Sequence, residues 1–239
     1  MEIRRFFINP TDISGSRATI SGTEFLHLKN VLRLKVGFKI VVCVGDGLDR
    51  FAEIDGIYKD FATASVTSSV VNGTEPKQRV ALAAAVLKGG KLDFVVQKAV
   101  ELGATAIIPF VSENCTEREI NLERLQRVAL EAAKQCGRAR LTEILPLKSF
   151  EEALVCLSDY DTRLFFCEFE TRFGFADADV KGHTALVIGS EGGFTEGESG
   201  LAVNAGFQSV SLGKRILRAD TASVTALALT MYRLGAMLP

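Results

Sequence analysis

The chain has 239 residues and a mass of 25.9 kDa, with 47% hydrophobic residues, 24% charged residues and a formal net charge of −1. This is ordinary globular composition, which excludes a disordered chain and allows one large domain or two modest ones with a real core. The near-neutral balance gives no basis for nucleic-acid binding across the whole surface, so any such contact needs a local basic patch.

The opening residues, Met1-Glu2-Ile3-Arg4-Arg5-Phe6-Phe7, lack the apolar core of a signal peptide. No uninterrupted apolar run approaches the roughly 20 residues of a membrane span. The nearest candidate, Thr221 to Leu234, is short and carries Thr221, Ser223, Thr225 and Thr230. The expectation is a soluble, cytoplasmic protein with no membrane association. Five cysteines, Cys43, Cys115, Cys136, Cys156 and Cys167, are odd in number and show no Cys-x-x-Cys spacing. With only His27 and His183 beside them, neither a disulfide framework nor a metal centre is expected. Cys136 reads as a helical thiol rather than a nucleophile, because nothing nearby marks a base for it.

The elements are taken in chain order. Ile3 to Ile8, Phe38 to Val44, Arg50 to Tyr58 and Ala62 to Val71 are rich in β-branched and aromatic residues and predict strands, broken by turns such as Gly45-Asp46-Gly47. Between the first two, Leu28, Val31 and Leu32 fit one face of a helix over Phe25 to Leu34, with Thr23 as its cap. Short strands plus one helix suggest a small β-barrel. The polar stretch Asn72 to Lys77, with Gly73 and Pro76, is the expected boundary. Beyond it the texture alternates. Arg79 to Val86 reads as a buried strand, and Leu92, Val95, Val96, Ala99 and Val100 mark an amphipathic helix ending near Gly103. Ala104 to Val111 is a further strand, and Leu122, Leu125, Val128, Ala129 and Ala132 mark a second helix. Strand and helix recur to the end, which predicts a mainly parallel sheet covered by helices. The last helix, from Thr221 to about Leu234, has no charge before Arg233; a helix apolar or small all round is expected to be buried all round, against a second subunit or in the domain centre.

Two segments carry most of the chemical information: Leu186 to Phe194, containing Gly189-Ser190-Glu191-Gly192-Gly193, and Leu212 to Ala222, containing Gly213-Lys214-Arg215-Ile216-Leu217-Arg218. Each is an apolar run that ends in glycine and leads to a helix, so together they suggest two walls of one pocket at a sheet edge. Thr195-Glu196-Gly197-Glu198 has the form of a capping box, which places a helix start after the first. The dinucleotide pattern and the phosphate loop ending in Gly-Lys-Ser/Thr are both absent, and Glu191 is the only charge in that loop. A ligand read mainly by backbone groups therefore need not be a phosphate. In the second segment Asp220 is either a helix N-cap or the partner that orients Arg218 toward an anion. Glu131 to Arg140 reads as a helix ending at Gly137 whose Arg138 and Arg140 are either a surface terminus or a phosphate clamp. Lys29, Arg33, Lys35 and Lys39 lie in an acid-free stretch beyond Phe25, and with Arg4 and Arg5 form the candidate basic patch.

The combination resembles the RsmE family of bacterial methyltransferases, of the knotted SPOUT class. The matching residues are Arg4-Arg5-Phe6-Phe7, His27-Leu28 with Val31-Leu32-Arg33, Gln97 to Gly103, Glu131 with Gln135 and Arg138, Ile188 to Gly193, and Leu212 to Ala222, in order over nearly the whole chain. Three positions depart from the family pattern: Ser190 stands where proline is usual, Asp220 where glutamate is usual, and Thr142 where proline is often found.

The resemblance implies a PUA-like β-barrel RNA-binding domain over residues 1–73 and a SPOUT methyltransferase domain over 74–239, a trefoil-knotted, mainly parallel α/β sheet with helices on both faces. It implies methylation of N3 of a uridine in 16S ribosomal RNA, within the small subunit or as free RNA, by a homodimer using S-adenosylmethionine and no metal. Ile188, Gly189, Glu191, Gly192, Gly193, Leu212, Gly213, Ile216, Leu217 and Arg218 are then the cofactor-binding residues. Arg218 faces an anionic ring or a phosphate, with Arg138 of the partner subunit, and Asp220 is the second catalytic candidate, as a positioning group or proton acceptor. Arg4, Arg5, Lys29, Arg33, Arg138 and Arg140 are the RNA-binding candidates. The rival readings are a nucleotide-dependent enzyme of Rossmann type and a non-catalytic RNA-binding or ribosome assembly factor with a degenerate pocket.

Overall fold

The computed structural model describes residues 3–237. The chain divides into two compact units, one of residues 1–75 with 133–141, the other of 76–132 with 142–239.

The first unit is a six-stranded sheet. Its strands are β1 (Arg4–Phe7), β2 (Ile13–Ser14), β3 (Arg17–Ser21), β4 (Lys39–Cys43), β5 (Leu48–Ile57) and β6 (Phe61–Val71), in the order β1-β4-β5-β6-β3-β2. All neighbours are antiparallel except β1 and β4. Period-two alternation turns Ala18, Ile20, Ile40, Val42, Ile54, Ala62 and Ala64 inward with Phe6, Phe25 and Leu28. The strands β2 and β3 were not expected from the sequence. The expected helix at Phe25 to Leu34 is instead a short α1 (Gly22–Leu26) followed by a π turn, His27–Val31. Ser21, not Thr23, occupies the N-cap position, with no side-chain cap.

Residues 133–141 complete this unit. Asn72 donates both to Asp49 Oδ2 and to the Gly137 carbonyl, each at 2.9 Å. Glu75 accepts from the Arg138 guanidinium at 2.8 Å and from the amides of Ala139 (3.2 Å) and Arg140 (3.0 Å). Lys134 and Glu24 form a further buried ion pair.

The second unit holds a parallel sheet of β7 (Val80–Ala85), β8 (Ala106–Val111), β9 (Glu143–Ile144), β10 (Lys148–Ser149), β11 (Thr162–Phe166), β12 (Thr184–Ile188) and β13 (Gln208–Val210). Its order is β10-β8-β7-β12-β11-β13, with β9 also beside β8. Both β7 and β12 are buried at every residue, as a strand covered on two faces must be. On one face Ala81, Ala83, Phe165, Ala185 and Val187 pack with α4 (Phe150–Cys156) and α5 (Glu196–Asn204). The helix α6 (Ala219–Arg233) packs on β12, β7 and α2 (Lys91–Glu101). The remaining helix, α3 (Leu122–Cys136), ends at the return segment. The architecture is the SPOUT-type α/β sheet with a PUA-like β unit that the resemblance implies.

The last helix begins at Ala219 and so includes Asp220. Within the single chain only one face is covered: Ala226, Leu227 and Met231 are buried, whereas Leu229 is 40% and Tyr232 65% exposed, so the helix does not lie in the domain centre.

Candidate active site

Three strands end level with one another. Phe166 pairs with Ile188 and with Val210, so the loops after β11, β12 and β13 leave the sheet side by side. This is the carboxyl edge of a parallel sheet, where open α/β folds bind ligands. The loops enclose a cavity of about 340 Å³. Of the residues expected to hold a cofactor, Ile188, Gly189, Glu191, Gly193, Leu212, Gly213, Ile216, Leu217 and Arg218 all line it. Gly192 does not. It abuts Asn114, whose side-chain amide donates to the Gly192 carbonyl at 3.1 Å, and a Cβ at 192 would sit 2.9 Å from the Asn114 carbonyl oxygen.

The loop after β12 is fixed at both ends. Ser190, buried where the family usually has proline, closes the turn itself: its carbonyl accepts from Gly193 N at 3.0 Å and its hydroxyl from Gly192 N at 3.4 Å. Phe194 then enters the core, with its ring centroid 4.4 Å from that of Phe165 and 5.4 Å from that of Phe150. The expected capping box follows: Glu198 N donates to Thr195 Oγ1 at 3.2 Å, and Thr195 N donates to Glu198 Oε2 at 2.9 Å.

Glu191 lines the cavity, but its carboxylate is committed elsewhere. Lys91 Nζ lies 2.8 Å from Glu191 Oε1. Burial opposes ionisation of Glu191, but the Lys91 ammonium and hydrogen bonds from its own backbone and that of Lys88 hold the carboxyl below its ordinary value.

Arg218 is exposed at the cavity and occupies the N-cap position of α6, with no side-chain cap. The N-cap reading of Asp220 is thereby corrected: it lies inside the first turn, and its Oδ1 accepts from the amide of Thr221 at 2.8 Å. It is not among the residues lining the cavity, and among the described residues no ion pair joins it to Arg218. An acid in the first turn still favours the helix through its dipole.

The basic candidates separate into two groups. Arg4, Lys29, Arg33 and Arg140 are exposed. Lys29 Nζ reaches the Lys59 carbonyl at 3.3 Å and lies 5.1 Å from the Phe25 ring centroid. Arg5 and Arg138 do not present free guanidinium groups to RNA, contrary to expectation. Arg5 forks onto Asp49, with its second contact at 3.0 Å, and donates to Cys43 Sγ at 2.9 Å. Arg138 is 3% exposed and bound by Glu75. Both are structural charges, whose burial demands the partner they have.

A family model described as an RNA methyltransferase domain matches residues 74–231, and one described as an RNA methyltransferase PUA domain matches residues 20–67. The ribosomal RNA small subunit methyltransferase E of Bacillus subtilis (strain 168) is 31% identical, over 97% of this chain and 97% of that protein. The protein of the same name from Synechocystis is 32% identical, over 94% of this chain and 76% of that one. The chain belongs to the ribosomal RNA small subunit methyltransferase E family. A solved structure of this family, from Neisseria gonorrhoeae and bound to S-adenosyl methionine, aligns with a TM-score of 0.88 at 32% identity, covering 97% of this methyltransferase and 98% of that chain.

Glu168 and Cys167, which the sequence reading did not single out, belong to the third loop, after β11, and line the cavity. Their signal was present: Thr162 to Phe166 is another apolar strand in the alternation, and its end had to meet the same sheet edge. Lys91, which grips Glu191, is separated from it by 100 residues and carries no local mark.

Proposed function

We propose that the chain transfers a methyl group from S-adenosylmethionine to N3 of a uridine in 16S ribosomal RNA, within the small subunit, acting as a cytoplasmic homodimer without a metal. The observation that carries this reading is the convergence of three strand-end loops on one cavity with Arg218 at it. The donor set suits the cofactor. Backbone groups of Gly189, Gly193 and Gly213 with the apolar Ile188, Leu212 and Leu217 match a nucleoside, while Lys214, Arg215 and Arg218 on the loop after β13 are the cations at the cavity. When bound, S-adenosylmethionine supplies an electrophilic methyl group.

The chain's own residues do the rest. Glu191 and Gly192 serve by shaping the loop, through Lys91 and Asn114. Uracil N3 is a weak acid, so a cation facing the ring favours loss of its proton to solvent water as the methyl group takes its place. Arg218 is that cation, or holds the adjacent phosphate. Asp220 steadies the first turn of α6, and thereby the backbone from which Arg218 projects. Lys29 and Arg33, with Arg4 and Arg140, supply phosphate contacts that position RNA without reading bases. The exposed Leu229 and Tyr232 on α6 support a second copy as the partner.

Arg218→Ala assayed separately for S-adenosylmethionine binding and for methyl transfer to purified small subunits, with the modified position mapped, tests the reading. Transfer is expected to fall by about 10²–10³-fold with binding kept within a few-fold. Transfer at the wild-type rate overturns the role of Arg218, and a methyl group anywhere but uridine N3 overturns the substrate.

A further inference from the structure

Glu168 follows β11 by two residues and is exposed, with its side chain at the cavity. Its carboxylate lies over the loop after β12 so closely that a Cβ on Gly193 would stand 1.8 Å from Glu168 Oε1. Gly193 has φ +67°, a left-handed backbone that by itself calls for glycine, and the exposed Glu168 carboxylate rests on the face its missing side chain leaves open.

Among the described residues two acids line this cavity, Glu168 and Glu191. Glu191 is held by Lys91 at 2.8 Å. Among the described residues Glu168 makes no ion pair or hydrogen bond, although Lys214, Arg215 and Arg218 line the same cavity. An ionised carboxylate only accepts hydrogen bonds, and its two oxygens match the paired donors of a vicinal diol. An acid at the end of a parallel strand beside a glycine loop is the arrangement that takes ribose hydroxyls in dinucleotide-binding sheets.

We infer that Glu168 is the residue that receives the ribose hydroxyls of the cofactor. The inference rests on the cofactor reading above and adds a specificity-determining side chain to a pocket otherwise formed largely by backbone and apolar groups.

The test is equilibrium binding, without turnover, by wild type, Glu168→Ala and Glu168→Gln. The probes are S-adenosylhomocysteine, 5′-methylthioadenosine and the 2′,3′-dideoxy form of the latter. Loss of hydrogen bonds to a charged acceptor is expected to weaken S-adenosylhomocysteine and methylthioadenosine alike, by about 10–100-fold in Glu168→Ala and less in Glu168→Gln. Wild type should prefer the diol to the dideoxy probe, and Glu168→Ala should lose that preference. Weakening of S-adenosylhomocysteine alone would overturn the inference, because the carboxylate would then serve the amino-acid part. Unchanged binding in both variants overturns it too and leaves the cofactor reading intact. Failure of wild type to bind S-adenosylhomocysteine overturns both. Glu168 is exposed, so both variants are expected to keep the wild-type unfolding midpoint.

Discussion

Lys91 Nζ and Glu191 Oε1 stand 2.8 Å apart, which joins the first turn of α2 to the loop that forms one wall of the pocket. The two side chains are 37% and 29% exposed, so solvent screens the pair, and its contribution to stability is expected to be only about 0.2–1 kcal/mol. Its sign with pH follows from Glu191, whose folded-state value is depressed. The contribution is present above the ordinary glutamate value and is lost as pH falls through the folded-state value. Denaturant unfolding of wild type and Lys91→Ala should therefore differ at neutral pH and converge in acid. A gap that widens on acidification contradicts this assignment.

The glycine pair in the same loop makes different demands. An alanine at 193 meets a left-handed backbone, costing about 1–2 kcal/mol by itself, whereas the exposed Glu168 carboxylate can swing aside. An alanine at 192 meets Asn114, at 2.8 Å from its Cβ and 2.9 Å from its carbonyl oxygen, an overpacking cost of about 1–3 kcal/mol. Combining Gly193→Ala with Glu168→Ala should recover little, because the backbone strain remains. For Gly192→Ala the removal of Glu168 should recover nothing. Unfolding midpoints of the four variants decide this.

Arg138→Ala leaves Glu75 with no guanidinium partner at a nearly dry site, since the two side chains are 3% and 12% exposed. Breaking a buried pair from one side costs about 3–5 kcal/mol, and equilibrium unfolding should show a loss of that size. If Arg138 were instead a surface RNA contact, the variant would unfold like wild type and lose RNA affinity alone.

Burial pushes the Cys43 thiol up to about 11, against the opposing pull of the Arg5 guanidinium. Cys156 is exposed. Mass-resolved alkylation of native protein at pH 8 should therefore label Cys156 first and leave Cys43 unmodified until the chain unfolds. Early labelling at Cys43 would show that the Arg5–Asp49 cluster opens readily.

What could be read from the sequence was what repeats locally. The spacing of Leu92, Val95, Val96, Ala99 and Val100 gave α2, and Thr195 with Glu198 gave the start of α5, because a helix writes its periodicity and caps into neighbouring residues. The two glycine loops were legible for the same reason. Partnership across the chain was not. Arg5 and Asp49 are 44 residues apart, and Arg138 and Glu75 are 63 apart, so a string of residues shows two arginines and no hint that each faces inward. The strand Arg17–Ser21 buries only Ala18 and Ile20, too short an alternation to stand out beside Gly15 and Ser16. The π turn at His27–Val31 buries Leu28 but leaves Val31 69% exposed, because its wider turn carries Val31 off the face that an α-helix would share with Leu28.

The return of residues 133–141 to the amino-terminal unit has a consequence for how this protein can be dissected or inherited. A cut just after residue 75 separates Asn72 from the Gly137 carbonyl to which it donates, and Glu75 from the Arg138 guanidinium and the Ala139 and Arg140 amides it accepts from. The amino-terminal unit is thus not a cassette that a single crossover can move. A donor gene must supply both stretches or neither, and recombination between relatives should respect that linkage even where the intervening residues diverge.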